Sequence, residues 1–265
     1  MARTIAVLLI TTCSFAACTL VSAKNPKMIQ RTSGGMSLTP GSPTRPLIRR
    51  AEYFRDHGEI EKSLELYTQA IKIDSKASSA YIGRARVWEE FGKVDKALDD
   101  FNTVLNYDPF NCTAARFRGD LYQSLHRYQD AINDYSKVIA AAPTDGLFYS
   151  QGICHLKLSK PALALKDFDM AIKLRGKRAR TLEKMGDARL MLKQYEKALD
   201  DYDMAMKLDP DGNESKDSYE HLHKSKAEIY RRLGKPDLAK KENALASAGK
   251  YKIMDLAPFS SDSMK

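Results

Sequence analysis

Glycine and proline are scarce. Together they account for 24 of 265 residues, about 9% against roughly 12% in an average protein, which argues against a loop-rich or all-β chain. Cysteine is scarcer still, and four in the whole chain cannot staple a disulfide scaffold. Beyond the first two dozen residues no apolar run reaches the roughly 18 residues that span a bilayer, so no internal membrane span is expected. Catalytic signatures are missing as well: there is no Gly-rich phosphate loop, nucleophile elbow or HExxH. The five histidines, His57, His126, His155, His221 and His223, fall at separate helix or turn positions. His221 and His223 lie two apart on a predicted helix, point to different faces and read as solvated surface rather than metal ligands. His155 reads as a packed core residue. The chain is therefore expected to be no enzyme, with no catalytic residue, no metal and no cofactor.

What is present is an ordinary folded composition, 43% hydrophobic and 29% charged. The net charge of +9 suggests nucleic acid until its distribution is read. Residues 24–46 carry Lys24, Lys27, Arg31 and Arg45 with no acid, and the two ends add one charge each, leaving +3 for residues 47–246. A near-balanced body of that length lacks the basic footprint of phosphate binding, so no nucleic-acid partner is expected.

Met1 to Ala23 reads as an export signal: Arg3 and the amino terminus are positive, and Ile5 to Ile10 form a short apolar stretch. Two processing readings compete. Val21-Ser22-Ala23 suits cleavage after Ala23, whereas Phe15-Ala16-Ala17-Cys18 resembles a bacterial lipobox that would lipidate Cys18, with Phe15 where Leu is usual. The expected location is the bacterial outer membrane or periplasmic side, or outside the cell, with membrane contact only through that N-terminal lipid. Residues 24–46, rich in Pro, Gly, Ser and Thr, read as a flexible tether, and 254–265 as a C-terminal tail.

A period of 34 organises the remainder. Pro109 and Pro143 lie 34 apart, and Pro210 follows 67 later. Small residues recur at Ala51, Ala85, Gly119, Gly152, Gly186 and Ala227, at intervals of 34, 34, 33, 34 and 41. A second small series follows twelve residues after each, at Ser63, Ala97, Ala131, Ala164, Ala198 and Ala239, and aromatics sit four further on at Tyr67, Phe101, Tyr135, Phe168 and Tyr202. This predicts units of two helices, about 13 residues each. Gly58, Gly92 and Gly234 mark the turn inside a unit, where a left-handed conformation is cheap for glycine. Small residues let the two helices approach, the aromatic fills the groove beside them, and proline ends the unit. One unit cannot bury its own apolar face, so units must stack.

At these residues the chain resembles the tetratricopeptide repeat family. The resemblance implies an all-α, right-handed α-α superhelix of five full repeats, at about 44–77, 78–111, 112–144, 145–178 and 179–212, and a degenerate sixth at about 220–253, after an insertion at 211–217. The solenoid is expected over 47–253. The sixth unit has Asn243 where Tyr202 stood and lacks the closing proline, as a capping repeat should. By layout, envelope lipoproteins of this family are the nearest resemblance.

Arg84 and Asp100 are 16 apart, as are Arg118 and Asp134, and both pairs read as ion pairs between the helices of one unit. The next two units keep Asp167 and Asp201 but carry Gln151 and Met185 in place of the arginine. Cys112 and Cys154 are axially offset by about 13 Å on their respective helices, given ~1.5 Å per residue, beyond the roughly 7 Å a bridge allows, so both should stay free.

In this family the first helices of successive units line a groove for peptides or extended segments, which implies a protein or peptide partner. Carried onto this chain, the groove comprises Ile82, Arg86, Arg116, Phe117, Tyr149, Ile153, Leu156 and Lys157. Phe117, Tyr149, Ile153 and Leu156 would form an apolar floor rimmed by Arg86, Arg116 and Lys157, and Phe117→Ala and Tyr149→Ala are expected to leave thermal unfolding nearly unchanged while weakening partner capture. Some relatives clamp a C-terminal carboxylate here; Asp120, one turn after Arg116, speaks against that role. The alternatives are a self-associating structural protein or an accessory subunit of an enzyme. Oligomeric state does not follow from these residues.

Overall fold

The computed structural model describes residues 42–209 and 216–248. Among the described residues there are twelve α-helices and no strands. They pair as hairpins, α1 (Arg45–Asp56) with α2 (Ile60–Ile73) and α3 (Ser78–Glu90) with α4 (Val94–Tyr107), followed in the chain by α5 (Cys112–Ser124) and α6 (Tyr128–Ala141). The same order continues with α7 (Asp145–Lys157) and α8 (Pro161–Arg175), α9 (Ala179–Met191) and α10 (Tyr195–Leu208), and α11 (Lys216–Arg232) and α12 (Pro236–Ala248). The export segment, Cys18 and the tail 254–265 lie outside the described residues. Arg45 and Pro46, which composition assigns to the tether, belong instead to α1, where Pro46 suits a first-turn position that needs no amide hydrogen.

Two compact units hold these helices. Within the described residues the first comprises 42–121 with 140–142, and the second 122–139, 143–209 and 216–248. In the first, Ile48, Ala51, Leu66, Tyr67, Ala80 and Val87 form a core cluster. In the second, Ala164, Phe168, Leu182, Met185, Ala198, Tyr202, Leu222 and Ile229 do the same. All five periodic aromatics, Tyr67, Phe101, Tyr135, Phe168 and Tyr202, are fully buried. Burying each such ring contributes roughly 1.5–3 kcal/mol. Gly152 shows why the opposite position must be small: a Cβ there would stand 2.6 Å from the Phe168 ring.

The turn inside each hairpin repeats one backbone state. Gly58, Gly92 and Gly234 hold φ of 75°, 66° and 68°, and the equivalent positions in the other three hairpins hold His126, Ser159 and Lys193 at 59°, 55° and 58°. The left-handed turn is thus a property of the repeat, and three units adopt it without glycine. Two helix starts are capped by side chains: Asn111 Oδ1 accepts from Ala114 N at 3.0 Å, and Thr144 Oγ1 from Leu147 N at 3.3 Å.

The expected Arg84–Asp100 pair is present, with Nε donating to Oδ2 at 2.9 Å and Nη2 to Oδ1 at 2.7 Å. Where the arginine is missing, a residue one helical turn later replaces it. His155 Nδ1 lies 2.6 Å from Asp167 Oδ2, and Arg189 pairs with Asp201. His155 is thus a half-buried hydrogen-bond partner of Asp167, not a generic packing residue. Neither Cys112 nor Cys154 forms a disulfide, and Cys154 is buried.

Candidate functional site

The second unit contains a cavity of about 540 Å³. Its walls come from the first helices of three successive hairpins. From α7 come Ile153, Leu156 and Lys157; from α9 and the turn after it, Lys184, Asp187, Leu190, Met191 and Lys193; from α11, His221, Ser225, Glu228 and Arg232. The spacing explains the convergence. Residues three or four apart fall on one helix face, and His221, Ser225, Glu228 and Arg232 form such a stripe over three turns. Ile153, Leu156 and Leu190 are half-buried and lean on the unit's core cluster, which fixes the apolar floor.

One wall is a connected polar network. Lys184 Nζ donates to Glu183 Oε1 at 2.6 Å and to Asp187 Oδ2 at 3.0 Å. The Tyr202 hydroxyl donates to Asp187 Oδ1 at 2.8 Å, and His221 Nε2 lies 2.9 Å from the same oxygen. Burial alone would push the Asp187 carboxyl up, but the His221 hydrogen bond and the Lys184 charge outweigh it and hold the group below the usual carboxylate range. The reciprocal bond to Asp187 raises His221 against the opposing effect of burial. Burial, reinforced by the neighbouring Asp187 charge, pushes the Tyr202 phenol far up, so it stays a donor.

Glu183, Asp187 and His221 bring one ligand atom each within 4.8 Å of the others, the geometry of a small metal site. The Lys184 ammonium already bridges the two carboxylates, so any ion would first have to displace it. The arrangement is an internally neutralised network facing the cavity. It also corrects the surface reading of His223 and gives the partly exposed His221 protein partners. His221 belongs to this network, and His223 is 3% exposed with Nδ1 2.5 Å from Glu242 Oε2. Both find acids because α11 packs against α12 as well as against α9 and α10.

The residues expected in the groove divide. Ile153, Leu156 and Lys157 line the cavity. Tyr149 is half-buried against the core, its ring 5.9 Å from that of Phe168 and under the Arg180 guanidinium at 4.9 Å. Phe117 belongs to the first unit, where Arg86 and Arg116 lie over its ring at 5.0 and 4.2 Å and Phe101 stacks at 6.4 Å. These contacts give Tyr149 and Phe117 packing partners beside their partly exposed surface. Ile82 is a correction: it is 2% exposed and belongs to the interior, because α3 is covered around Ala80, Ile82, Gly83, Ala85 and Val87 together. Arg116 is engaged by Asp120 at 3.6 Å, in keeping with the argument against a carboxylate clamp. Sequence reading missed Leu190, Met191, Lys193 and the whole α11 wall. The signal for that wall is the stripe His221, Ser225, Glu228 and Arg232, which lies in the repeat that reads as a cap.

The sequence model of the tetratricopeptide repeat matches residues 48–111, 118–179 and 149–213. The chain belongs to the tetratricopeptide repeat family. Tetratricopeptide repeat structures share its fold at low identity. A tetratricopeptide repeat protein from Parabacteroides merdae superposes with a TM-score of 0.64 at 20% identity, over 76% of this chain and 78% of its own. PilF of Pseudomonas aeruginosa gives 0.60 at 18%, over 82% and 93%. YrrB, described as a tetratricopeptide repeat protein with an unusual peptide-binding site, gives 0.58 at 21%, over 73% and 93%. Comparison with curated protein sequences gives no match. Members of this repeat family are in general protein-interaction scaffolds, and the cavity lies on the first helices of this protein's repeats.

Proposed function

We propose that this tetratricopeptide repeat protein is a scaffold that holds a peptide or an extended segment of a partner protein against α7, α9 and α11. One observation carries the reading: three successive first helices converge on a single open cavity with an apolar floor and a charged rim. In the polar network inside, Lys184, Asp187, His221 and Tyr202 satisfy one another, which favours binding over chemistry. YrrB supports it as a protein of the same fold whose description includes a peptide-binding site.

The scaffold works on the exported side of a bacterial cell, free or held by a lipid on Cys18. The export-type segment Met1–Ala23 supports this placement. Mass spectrometry of the mature N-terminus tests it: an acylated Cys18 or a chain starting at Lys24 agrees, and an intact Met1 end refutes it.

Site-specific photocrosslinking in native cells tests the binding reading. A photoreactive residue at the exposed Met191 should give a discrete protein adduct, and one at the exposed Lys240 on α12 should not. An adduct of twice the chain mass would favour self-association. Equal labelling at both positions would remove the cavity from consideration.

A further inference from the structure

The charge on the cavity rim is one-sided. Lys157 is the last residue of α7, Lys193 follows α9 by two residues, and Arg232 is the last residue of α11. All three are exposed and line the cavity, so a cation stands at or just past the C-terminus of each of three successive first helices. Arg232 is shared with Glu228, but Lys157 and Lys193 have no acid within ion-pair reach among the described residues. The two acids that line the cavity are already spoken for: Asp187 by Lys184, His221 and Tyr202, Glu228 by Arg231 and Arg232.

A cation at a helix C-terminus also favours the helix dipole, which would account for one such residue without any ligand. That account does not extend to the fold as a whole. The equivalent end of α3 carries Glu89 and Glu90, α5 ends in Ser124, and the Arg55 in the last turn of α1 is paired with Asp56. The basic edge is therefore a feature of this cavity and not of the repeat. Beside it lie Leu156, Leu190 and Met191, the last of them 46% exposed. With neighbouring helix axes at roughly 10 Å, three cations span about 20 Å, the length of about six residues of extended chain at ~3.3 Å each.

We infer that the cavity selects acidic-apolar segments: an extended stretch of a partner protein in which a Leu-, Met- or Phe-sized side chain enters beside Leu156, Leu190 and Met191 while flanking Asp or Glu residues meet Lys157, Lys193 and Arg232. The inference rests on the groove reading above and adds the chemistry of the occupant. Charge complementarity sets specificity and encounter rate, and the apolar side chain supplies the buried contact.

Selection of random dodecapeptides displayed on phage against the full chain tests it, with two variants run in parallel. Met191→Asp alters the apolar floor at an exposed position. Lys157→Glu with Lys193→Glu reverses the rim at two exposed residues without breaking an ion pair. Circular dichroism melting of each variant, expected within a few degrees of the parent, checks folding. The expected result is enrichment of sequences with an acid within two residues of a large apolar side chain, at least tenfold loss of capture by Met191→Asp, and a switch to Lys- or Arg-containing sequences with the doubly reversed rim. Enrichment that Met191→Asp abolishes but that shows no acidic excess overturns this inference and leaves the groove reading standing. Enrichment indifferent to Met191→Asp, or no enrichment, overturns both.

Discussion

Lys226 and Glu242 are 16 residues apart and 3.1 Å apart, the same sequence relation that Arg84 keeps with Asp100. The degenerate last repeat thus retains the cross-helix ion pair of the regular ones with both residue types exchanged. It adds His223 on the other Glu242 oxygen and Asp203 on Lys226. Glu242 is held below its usual range: burial would raise it, but the His223 and Lys226 contacts outweigh that.

Removing the cation should be costly where the acid is buried. Asp100 is 5% exposed, so Arg84→Ala strands a carboxylate. Burial already raises Asp100 despite the arginine. Arg84→Ala is expected to lose about 2–3 kcal/mol in urea unfolding. The double change Arg84→Met with Asp100→Leu should recover most of it. A double variant as unstable as the single one would show that the loss comes from packing around Arg84.

The cavity network makes stability depend on pH in a defined direction. His221 is raised in the folded protein, so its contribution is fully present below the ordinary histidine value near 6.5 and is lost as pH rises through the folded value. Asp187 and Glu242 are depressed, so theirs is present above the usual carboxylate range and is lost as pH falls through the folded values. The melting temperature should therefore decline from about pH 6 towards pH 9, and His221→Gln should flatten that limb. An unchanged slope in the variant would detach His221 from the effect.

Two glycines of α7 should respond oppositely to alanine. Gly152→Ala places a Cβ 2.6 Å from the fully buried Phe168 ring and is expected to lose about 1–3 kcal/mol. Gly146→Ala meets nothing within 4 Å and should be neutral or gain up to about 1 kcal/mol from helix propensity. Thermal melts of the two single variants decide it; equal effects would refute the close approach.

The left-handed turn predicts a separation of stability from binding. Ser159→Gly and Lys193→Gly both relieve a non-glycine residue at φ near 55° and should each gain about 1 kcal/mol. Only Lys193→Gly should weaken peptide capture, because Lys193 lines the cavity and Ser159 does not. Equal capture by both variants would argue that the Lys193 side chain is idle.

The sequence alone determined the repeat. The small and aromatic series and the glycine-marked turns at Gly58, Gly92 and Gly234 were legible because contacts inside a hairpin join residues 12 or 16 apart, so packing leaves its mark at short range. Arg84–Asp100 was legible for the same reason. The partners of Asp167 and Asp201 were not, because a helix offers the same face one turn later, and a spacing of 12 through His155 and Arg189 does the work of a spacing of 16. The tertiary structure alone decided what faces the cavity. Ile82 fits the outward pattern of its helix, but its neighbours cover it on more than one side. Met191, Lys193 and Arg232 give no local sign of belonging together; they meet because three helices separated by whole repeats end on one edge, and the packing of one hairpin on the next, rather than any single helix, sets that arrangement.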